Sequence, residues 1–382
     1  MVDTRYRTAV VGVGATEQGE IPGETGNQIA VRAAVLALAD AGIDKSEIDG
    51  LVTCKPPRSA ENGGIDEDMG YLLGINPAFS TTLDYGACGF SLHVAAMAIQ
   101  AGLATTVLLT YGSNQRSAKA NFSTPIGGTA DWASLAGFVH VAGPAAMAAR
   151  RHMALYGTTE EQLGWVSVSQ REWAVDNPRA IFRKPMSIED YLAGPYLVAP
   201  LRRADLTMIS DGGTAIILTT AERARDLRPK PVYLAGMAQQ SAMRNDQNPD
   251  KLMRPWIADI AQRVYAAAGM RPSDMNLAYL QDATSVWVLQ QLEWYGFCGV
   301  GEAGPFLAEG HTRPGGSLPV NTNGGQLSEA YMWNWMQLFE CVQQLRGECG
   351  DRQIAGSEVA LHAQTHDFFK GAATILTTRS ES

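Results

Sequence analysis

Apolar and polar positions along the first hundred residues change period several times, and each change marks an element. Thr8-Ala-Val-Val-Gly-Val-Gly14 is an unbroken run of small and apolar residues, which predicts a strand buried on both faces. From about Gly26 to Ala41 apolar residues recur at helical spacing, and Gly42 follows where a left-handed residue commonly ends a helix. Ile43-Asp-Lys-Ser-Glu-Ile-Asp49 is a polar turn, and Gly50-Leu-Val-Thr-Cys54 is a second strand. After Cys88 a run of good helix formers extends to Gly102 and feeds the strand Ala104-Thr-Thr-Val-Leu-Leu-Thr110. Strands alternating with helices predict an α/β layered fold with mostly parallel pairing.

The pattern then repeats. Ala41-Gly-Ile-Asp-Lys-Ser-Glu-Ile-Asp49 has a counterpart in Ala268-Gly-Met-Arg-Pro-Ser-Asp-Met-Asn276, each after an amphipathic helix and before a short apolar strand. Val232-Tyr-Leu-Ala-Gly236 opens the second copy as Thr8–Gly14 opens the first. Two α/β halves, 1–225 and 226–382, are the economical reading. The segment 112–206 has no counterpart in the second half and reads as a large insertion of the kind that caps a site. In the second half, Val320-Asn-Thr-Asn-Gly-Gly-Gln-Leu-Ser-Glu-Ala-Tyr331 holds the place of the Cys88 junction. Under pseudo-twofold packing the two junctions face one crevice at strand ends, where parallel α/β sheets place ligands.

Composition narrows the function classes. With 46% hydrophobic and 18% charged residues, the 382-residue chain reads as a globular enzyme. A formal charge of -9, with the acidic residues not clustered, argues against nucleic acid, whose phosphate backbone wants a basic face. No apolar stretch reaches transmembrane length, and the opening Met-Val-Asp-Thr-Arg leads straight into a strand, so a cytoplasmic protein without a membrane partner is expected. The five cysteines, Cys54, Cys88, Cys298, Cys341 and Cys349, have no metal-ligand spacing, so no metal is expected.

Cys88 is the sharpest chemical candidate. It lies in Leu83-Asp-Tyr-Gly-Ala-Cys-Gly-Phe-Ser, where small neighbours let backbone approach the sulfur. A helix start surrounds it with unpaired N–H groups and the positive end of the macrodipole, a setting that favours the nucleophilic thiolate. The competing reading is a buried structural cysteine.

Taken together these features resemble the thiolase superfamily, most closely its lipid-transfer or sterol-carrier-protein type. The resemblance rests on Val10-Val-Gly-Val-Gly-Ala-Thr-Glu17, the Cys88 helix, Ala146-Met-Ala-Ala-Arg-Arg-His-Met-Ala-Leu-Tyr-Gly157 and Asp176-Asn-Pro-Arg179. It extends through Ser210-Asp-Gly-Gly-Thr-Ala215, Tyr295-Gly-Phe-Cys-Gly-Val-Gly-Glu302, Asn321-Thr-Asn-Gly-Gly325 and Gln344-Leu-Arg-Gly347. It implies two βαβαβαββ halves in five layers and a homodimeric core. It also implies action on an acyl-CoA with coenzyme A as co-substrate and no bound cofactor. In thiolases the cysteine attacks a 3-ketoacyl-CoA carbonyl and carries the acyl group as a thioester.

The chain departs from that pattern at two points. Thiolases of this branch carry a histidine in a His-Asp-Cys-Phe motif, where Gln281-Asp-Ala-Thr-Ser285 stands here. They carry another in a Gly-His-Pro loop, where Ser328-Glu-Ala-Tyr-Met-Trp-Asn-Trp335 stands here, with Tyr331 in the histidine's place. A glutamine donates hydrogen bonds but does not titrate; a tyrosine donates a proton with an ordinary pKa of about 10. A Leu-Ser-Glu-x-Tyr loop is similar to that of steroid side-chain retro-aldolases, which cleave a 3-hydroxyacyl-CoA and work with a small OB-fold and zinc-ribbon subunit. Benzoylsuccinyl-CoA thiolases, with the same kind of partner, cleave by thiolysis.

Because Cys88 is retained, thiolysis of a 3-ketoacyl-CoA with a bulky or aromatic acyl group is the preferred expectation. Retro-aldol cleavage through Tyr331 and a non-catalytic binding subunit are the alternatives. A heterotetramer with the small subunit is a possible assembly. Cys88, Tyr331, His366, Gln281 and Asn321 are the expected catalytic set. His140, Trp333, Trp335, Phe368, Gly325 and Ser328 are the expected substrate-binding set, the aromatics forming an apolar wall, with Phe369 beside them. His93 is expected to pack. His362 and His366 flank the last strand, Glu358-Val-Ala-Leu-His362, and its loop.

Overall fold

A computed structural model describes residues 5–56, 65–84, 87–122, 141–242, 250–366 and 370–380, with the His366 side chain outside the description. The first half runs β1 (Thr8–Ala15), α1 (Gly26–Ala41), β2 (Gly50–Cys54), α2 (Ile65–Leu73), β3 (Phe79–Leu83), α3 (Cys88–Gln100) and β4 (Thr106–Ser113). An excursion follows with α4 (Ala142–Tyr156), α5 (Glu160–Ala174), α6 (Ile188–Ala193), β5 (Tyr196–Val198) and β6 (Leu201–Arg202). β7 (Gly212–Thr220) and α7 (Ala221–Ala224) then lead to β8 (Val232–Ser241), α8 (Ile257–Ala268), β9 (Leu277–Leu280), α9 (Ser285–Trp294) and α10 (Ala303–Ala308). The chain closes with α11 (Gly325–Ser328), α12 (Trp335–Arg346), β10 (Val359–His366) and β11 (Lys370–Thr377).

Among the described residues, nine strands form one sheet in the order β3-β2-β4-β7-β1-β8-β11-β10-β9. Val320 adds a parallel bridge to Ala278 on β9 and so stands as the third strand of the second half. Each half then has the same order: third, second, fourth, fifth, first. The halves meet where β1 pairs with β8. Gly42 and Gly269 both end their helices in the left-handed region, and each is followed by a single 3₁₀ turn and a strand.

Pairing is mixed, not mostly parallel. β2 runs parallel to β3 and β4, and β9 to β10, but β7 is antiparallel to β1 and β4, and β11 to β8 and β10. The cause is the fifth strand of each half. β11 returns from β10 through a hairpin too short for a crossover, and β7 returns between β4 and β1 after the excursion.

The period of two along the strands sorts side chains between layers. Val10, Val107, Leu109, Ile216 and Leu218 face a central layer made by α3 and α12, which is closed from the other side by Leu277, Tyr279, Ala360 and Leu376. Ala9, Val11, Leu108, Ala215 and Ile217 face α1 and α2 on the outside. Ala278, Leu280, Leu361, Ala363 and Ile375 face α8 and α9 on the opposite outside. This gives helix, sheet, helix, sheet, helix. α1 lies so close to β1 that a Cβ on Gly14 would sit 2.3 Å from Ala33 O. From the excursion, α5 packs on α9, α10 and α11 of the second half, over the loop that ends in Tyr331.

Candidate functional site

β3 ends at Leu83 and α3 begins at Cys88, so the cysteine stands at the first position of a central-layer helix. It is fully buried in one apolar cluster with Cys54, Tyr331, Trp333 and Trp335. Burial pushes its thiol well above the ordinary range, and neighbouring Cys54 adds to the shift. Among the described residues the thiol makes no hydrogen bond. The amide that follows is already engaged: Gly89 N–H donates to Gln364 Oε1 at 2.7 Å. Gln364 Nε2 in turn donates to Trp333 O at 3.1 Å. The expected thiolate is therefore not what this setting favours. A macrodipole is worth about 0.3–1 kcal/mol at a surface, whereas full burial shifts a titrating group by several pK units.

The described imidazoles do not serve the sulfur. His93 Nε2 lies 3.0 Å from Thr374 Oγ1, as expected of a packing residue. His362 Nε2 lies 3.0 Å from Asn334 Nδ2. Burial holds both rings neutral, pushed down to about 4. His366 pairs with Lys370 at the end of β10. His140, Phe368 and Phe369 lie outside the described residues.

The loop from Asn321 to Asn334 is shaped by buried polar groups. Asn321 Oδ1 accepts from Leu280 N–H and its Nδ2 donates to Leu280 O, both at 2.9 Å. Its amide thus splices the loop to β9, with one N–H of Nδ2 engaged there. Gly324 and Gly325 are both left-handed, and a Cβ on Gly325 would lie 2.1 Å from Asp282 Oδ2. Asp282, fully buried, accepts from Gln326 N–H at 3.0 Å, Leu327 N–H at 3.1 Å and Gln337 Nε2 at 2.7 Å. Burial pushes its carboxyl up to about 6. Ser328 Oγ accepts from Arg171 Nε at 3.1 Å, so Ser328 faces α5, and Gly325 faces Asp282.

Tyr331 is held from both sides. Its N–H donates to Ser210 Oγ at 2.8 Å, and Ser210 Oγ donates to Tyr331 O at 3.3 Å. Its ring meets Phe122 edge-on at 5.9 Å and Trp333 at 5.6 Å. Trp335 does not join an acyl wall: it is fully buried and stacks on Tyr111 at 5.8 Å, inside the central layer.

Gln281 continues β9 with the parity of Leu277 and Tyr279, so it faces the central layer. The pair Leu280–Ala363 places it beside Gln364. Its N–H donates to Ala363 O at 3.1 Å and its carbonyl accepts from Gln291 Nε2 at 2.7 Å. Neither atom of its buried side-chain amide has a partner among the described residues. A buried unpaired amide is costly, so a polar group that met it would be favoured.

The expected residues thus divide. Cys88, Gln281, Tyr331 and Trp333 share the central layer, while Asn321, Gly325, Ser328 and Trp335 build it. Sequence reasoning missed Gln364, Ser210 and Asp282. Ser210 sat in a quoted motif without a role, and Gln364 shows as a polar residue at every second position of Leu361-His-Ala-Gln-Thr-His366. Among the described residues no cluster of His, Cys, Asp and Glu could hold a metal ion, and no helix is long and apolar enough to cross a membrane.

Residues 238–379 match the thiolase C-terminal domain-like family. A steroid side-chain-cleaving aldolase of Thermomonospora curvata is 37% identical over 362 residues, 89% of this chain and 90% of the relative. A 17-hydroxy-3-oxo-4-pregnene-20-carboxyl-CoA lyase of Mycobacterium tuberculosis is 36% identical over 374 residues, 93% of this chain and 95% of the relative. The benzoylsuccinyl-CoA thiolase subunit of Thauera aromatica is 28% identical over 367 residues, 94% of this chain and 93% of the relative. Among solved structures, an Ltp2-ChsH2(DUF35) aldolase superposes with a TM-score of 0.89 at 34% identity over 98% of both chains. With this identity sustained along nearly the whole length and the two-halved layered fold beneath it, the chain belongs to the thiolase superfamily, in its sterol-carrier-protein-type branch.

Proposed function

We propose that the protein catalyses retro-aldol cleavage of a 3-hydroxyacyl-CoA bearing a bulky ring system at C3, with Tyr331 as the proton-handling group. The observation that carries this reading is the setting of Cys88. Its thiol is fully buried, no described imidazole is hydrogen-bonded to it, and the next amide is capped by Gln364; burial pushes the thiol well above its ordinary range. Thiolysis needs a thiolate and free oxyanion donors. A retro-aldol step needs no thiolate; its enolate needs only a donor to the thioester oxygen. The Tyr331 side chain, acting as its phenolate, takes the proton of the substrate hydroxyl, the bond from the carbinol carbon to Cα breaks, and its electron pair forms the thioester enolate. The carbinol carbon becomes a ketone, and return of that proton from Tyr331 to Cα completes a shortened acyl-CoA and restores the phenolate. Free CoA is not consumed. Gln281, with an unpaired amide beside Gln364, supplies a hydrogen bond to the substrate oxygens. The aromatic faces of Phe122, Tyr331 and Trp333 favour a flat polycyclic group. The relatives named as steroid aldolase and lyase support this preference over the more distant thiolase subunit. A small partner subunit on a homodimeric core is part of the proposal, supported by the solved Ltp2-ChsH2(DUF35) aldolase.

The test is turnover of 17-hydroxy-3-oxo-4-pregnene-20-carboxyl-CoA, following ketone and acyl-CoA release, with the partner subunit present. Tyr331→Phe is expected to lower kcat by about 10²–10⁴-fold, the usual worth of a general acid–base group. Cys88→Ala is expected to stay within about threefold, since the thiol takes no part. An acyl adduct on Cys88 after exposure to a 3-ketoacyl-CoA, lost in Cys88→Ala, would return the assignment to thiolysis.

A further inference from the structure

Glu329, two residues before Tyr331, is fully buried. Its Oε1 accepts from Asn177 Nδ2 at 2.8 Å and lies 3.5 Å from Arg179 Nε, while its Oε2 accepts from Asn323 Nδ2. Asn177 Nδ2 also donates to Asn323 O at 2.8 Å. Ile181 N–H donates to Glu329 O at 3.1 Å and Phe182 N–H to Ser328 O at 3.0 Å. The carboxylate thus joins three stretches: the segment after α5, the start of the loop at Asn323, and the approach to Tyr331. Arg179 is shared with Glu340, its Nη2 3.4 Å from Glu340 Oε2, and Arg352 holds Glu340 from the far side.

We infer that Glu329 is a positioning residue for Tyr331, its ionised carboxylate fixing the loop from Asn321 to Tyr331 against the segment that follows α5. The inference rests on the retro-aldol reading of Tyr331. Only a carboxylate accepts from every one of these neighbours at once. The neighbouring amides and guanidinium all present N–H donors, so a protonated acid or a glutamine sets a donor against a donor. The charged and titratable groups around it are Arg179 and Glu340, Arg352 behind Glu340, Arg171 on Ser328, and Asp282 across α11. Burial pushes the Glu329 carboxyl up to about 7; Arg179 works against the shift and Glu340 adds to it. The positioning state is therefore lost on acidification through that value.

The sign for stability is the reverse. A carboxyl raised in the folded protein contributes stability at low pH, and that contribution is lost as pH rises through about 7. Activity is then expected to fall with acid while this group's contribution to stability grows. A merely structural role would move both together.

The experiment measures kcat and KM for the steroid 3-hydroxyacyl-CoA from about pH 5.5 to 8.5, for wild type, Glu329→Gln, Asn177→Ser and Tyr331→Phe. Wild-type kcat is expected to fall about tenfold per unit below the limb. Glu329→Gln is expected to lose about 10–100-fold in kcat at high pH, with KM within about threefold and no acid limb. Asn177→Ser removes a bond that holds the carboxyl down, so its limb moves to higher pH, which keeps the test decisive if Glu329→Gln does not fold. A Glu329→Gln enzyme with wild-type kcat or a retained limb, or an unmoved limb in Asn177→Ser, overturns the inference. Full activity in Tyr331→Phe overturns the reading beneath it instead.

Discussion

Replacing Gln364 by leucine tests whether its side chain closes the N-terminus of α3. The substitution keeps volume and apolar packing but deletes both ends of a bridge: the acceptor 2.7 Å from Gly89 N and the donor 3.1 Å from Trp333 O. Gln364 is fully buried, so neither partner gains water in exchange. Each orphaned backbone group costs about 1–3 kcal/mol, giving about 2–6 kcal/mol for the pair. At about 2.1 cal/mol/K per residue the chain unfolds with roughly 0.8 kcal/mol/K, so Tm is expected to drop by about 3–7 °C. Gln364→Glu separates the two ends. It still accepts from Gly89 N–H, but as a carboxylate it sets an acceptor against Trp333 O, and only its protonated form restores the donor. Its deficit is therefore expected to shrink on acidification, unlike that of leucine. Differential scanning fluorimetry of the three proteins across pH decides. A Gln364→Leu protein melting within about 1 °C of wild type would refute the reasoning, because that loss is too small for one buried unsatisfied group.

Arg352→Met leaves Glu340 buried and without its main counter-ion, with Arg179 at 3.4 Å as the remaining cation, and is expected to cost about 3–5 kcal/mol in denaturant unfolding. Adding Glu340→Leu is expected to recover most of that loss, because the penalty is the unpaired charge. Gly325→Ala places a Cβ 2.1 Å from Asp282 Oδ2 at a left-handed residue, costing about 1–2 kcal/mol from backbone alone. The loop must shift, so kcat for the 3-hydroxyacyl-CoA is expected to fall further than Tm implies, read by kinetics beside melting.

What the sequence made legible was what local pattern controls. The buried run at Thr8, the caps at Gly42 and Gly269, and the strand at Gly50–Cys54 depend on neighbours within a few residues. Strand direction did not, because β7 returns between β1 and β4 only after residues 114–211. The same distinction runs through the site. The place of Cys88 at a helix start was readable, but the amide beside it is capped by Gln364, 275 residues beyond Gly89, and its burial comes from packing against the aromatic loop that Gln364 also holds. Glu329 stands between Ser328 and Ala330, and nothing in that local sequence marks it as buried. It is buried because the stretch from Asn177 to Phe182 lies against it, a contact no window of sequence contains. A motif thus marks where chemistry can happen. Which group can carry it depends on distant side chains that shape the surroundings of each. For Cys88 those side chains supply burial and a capped amide, and for Tyr331 a backbone clamp at Ser210. These surroundings are the ground on which we propose the phenol of Tyr331, and not the thiol of Cys88, as the reacting group.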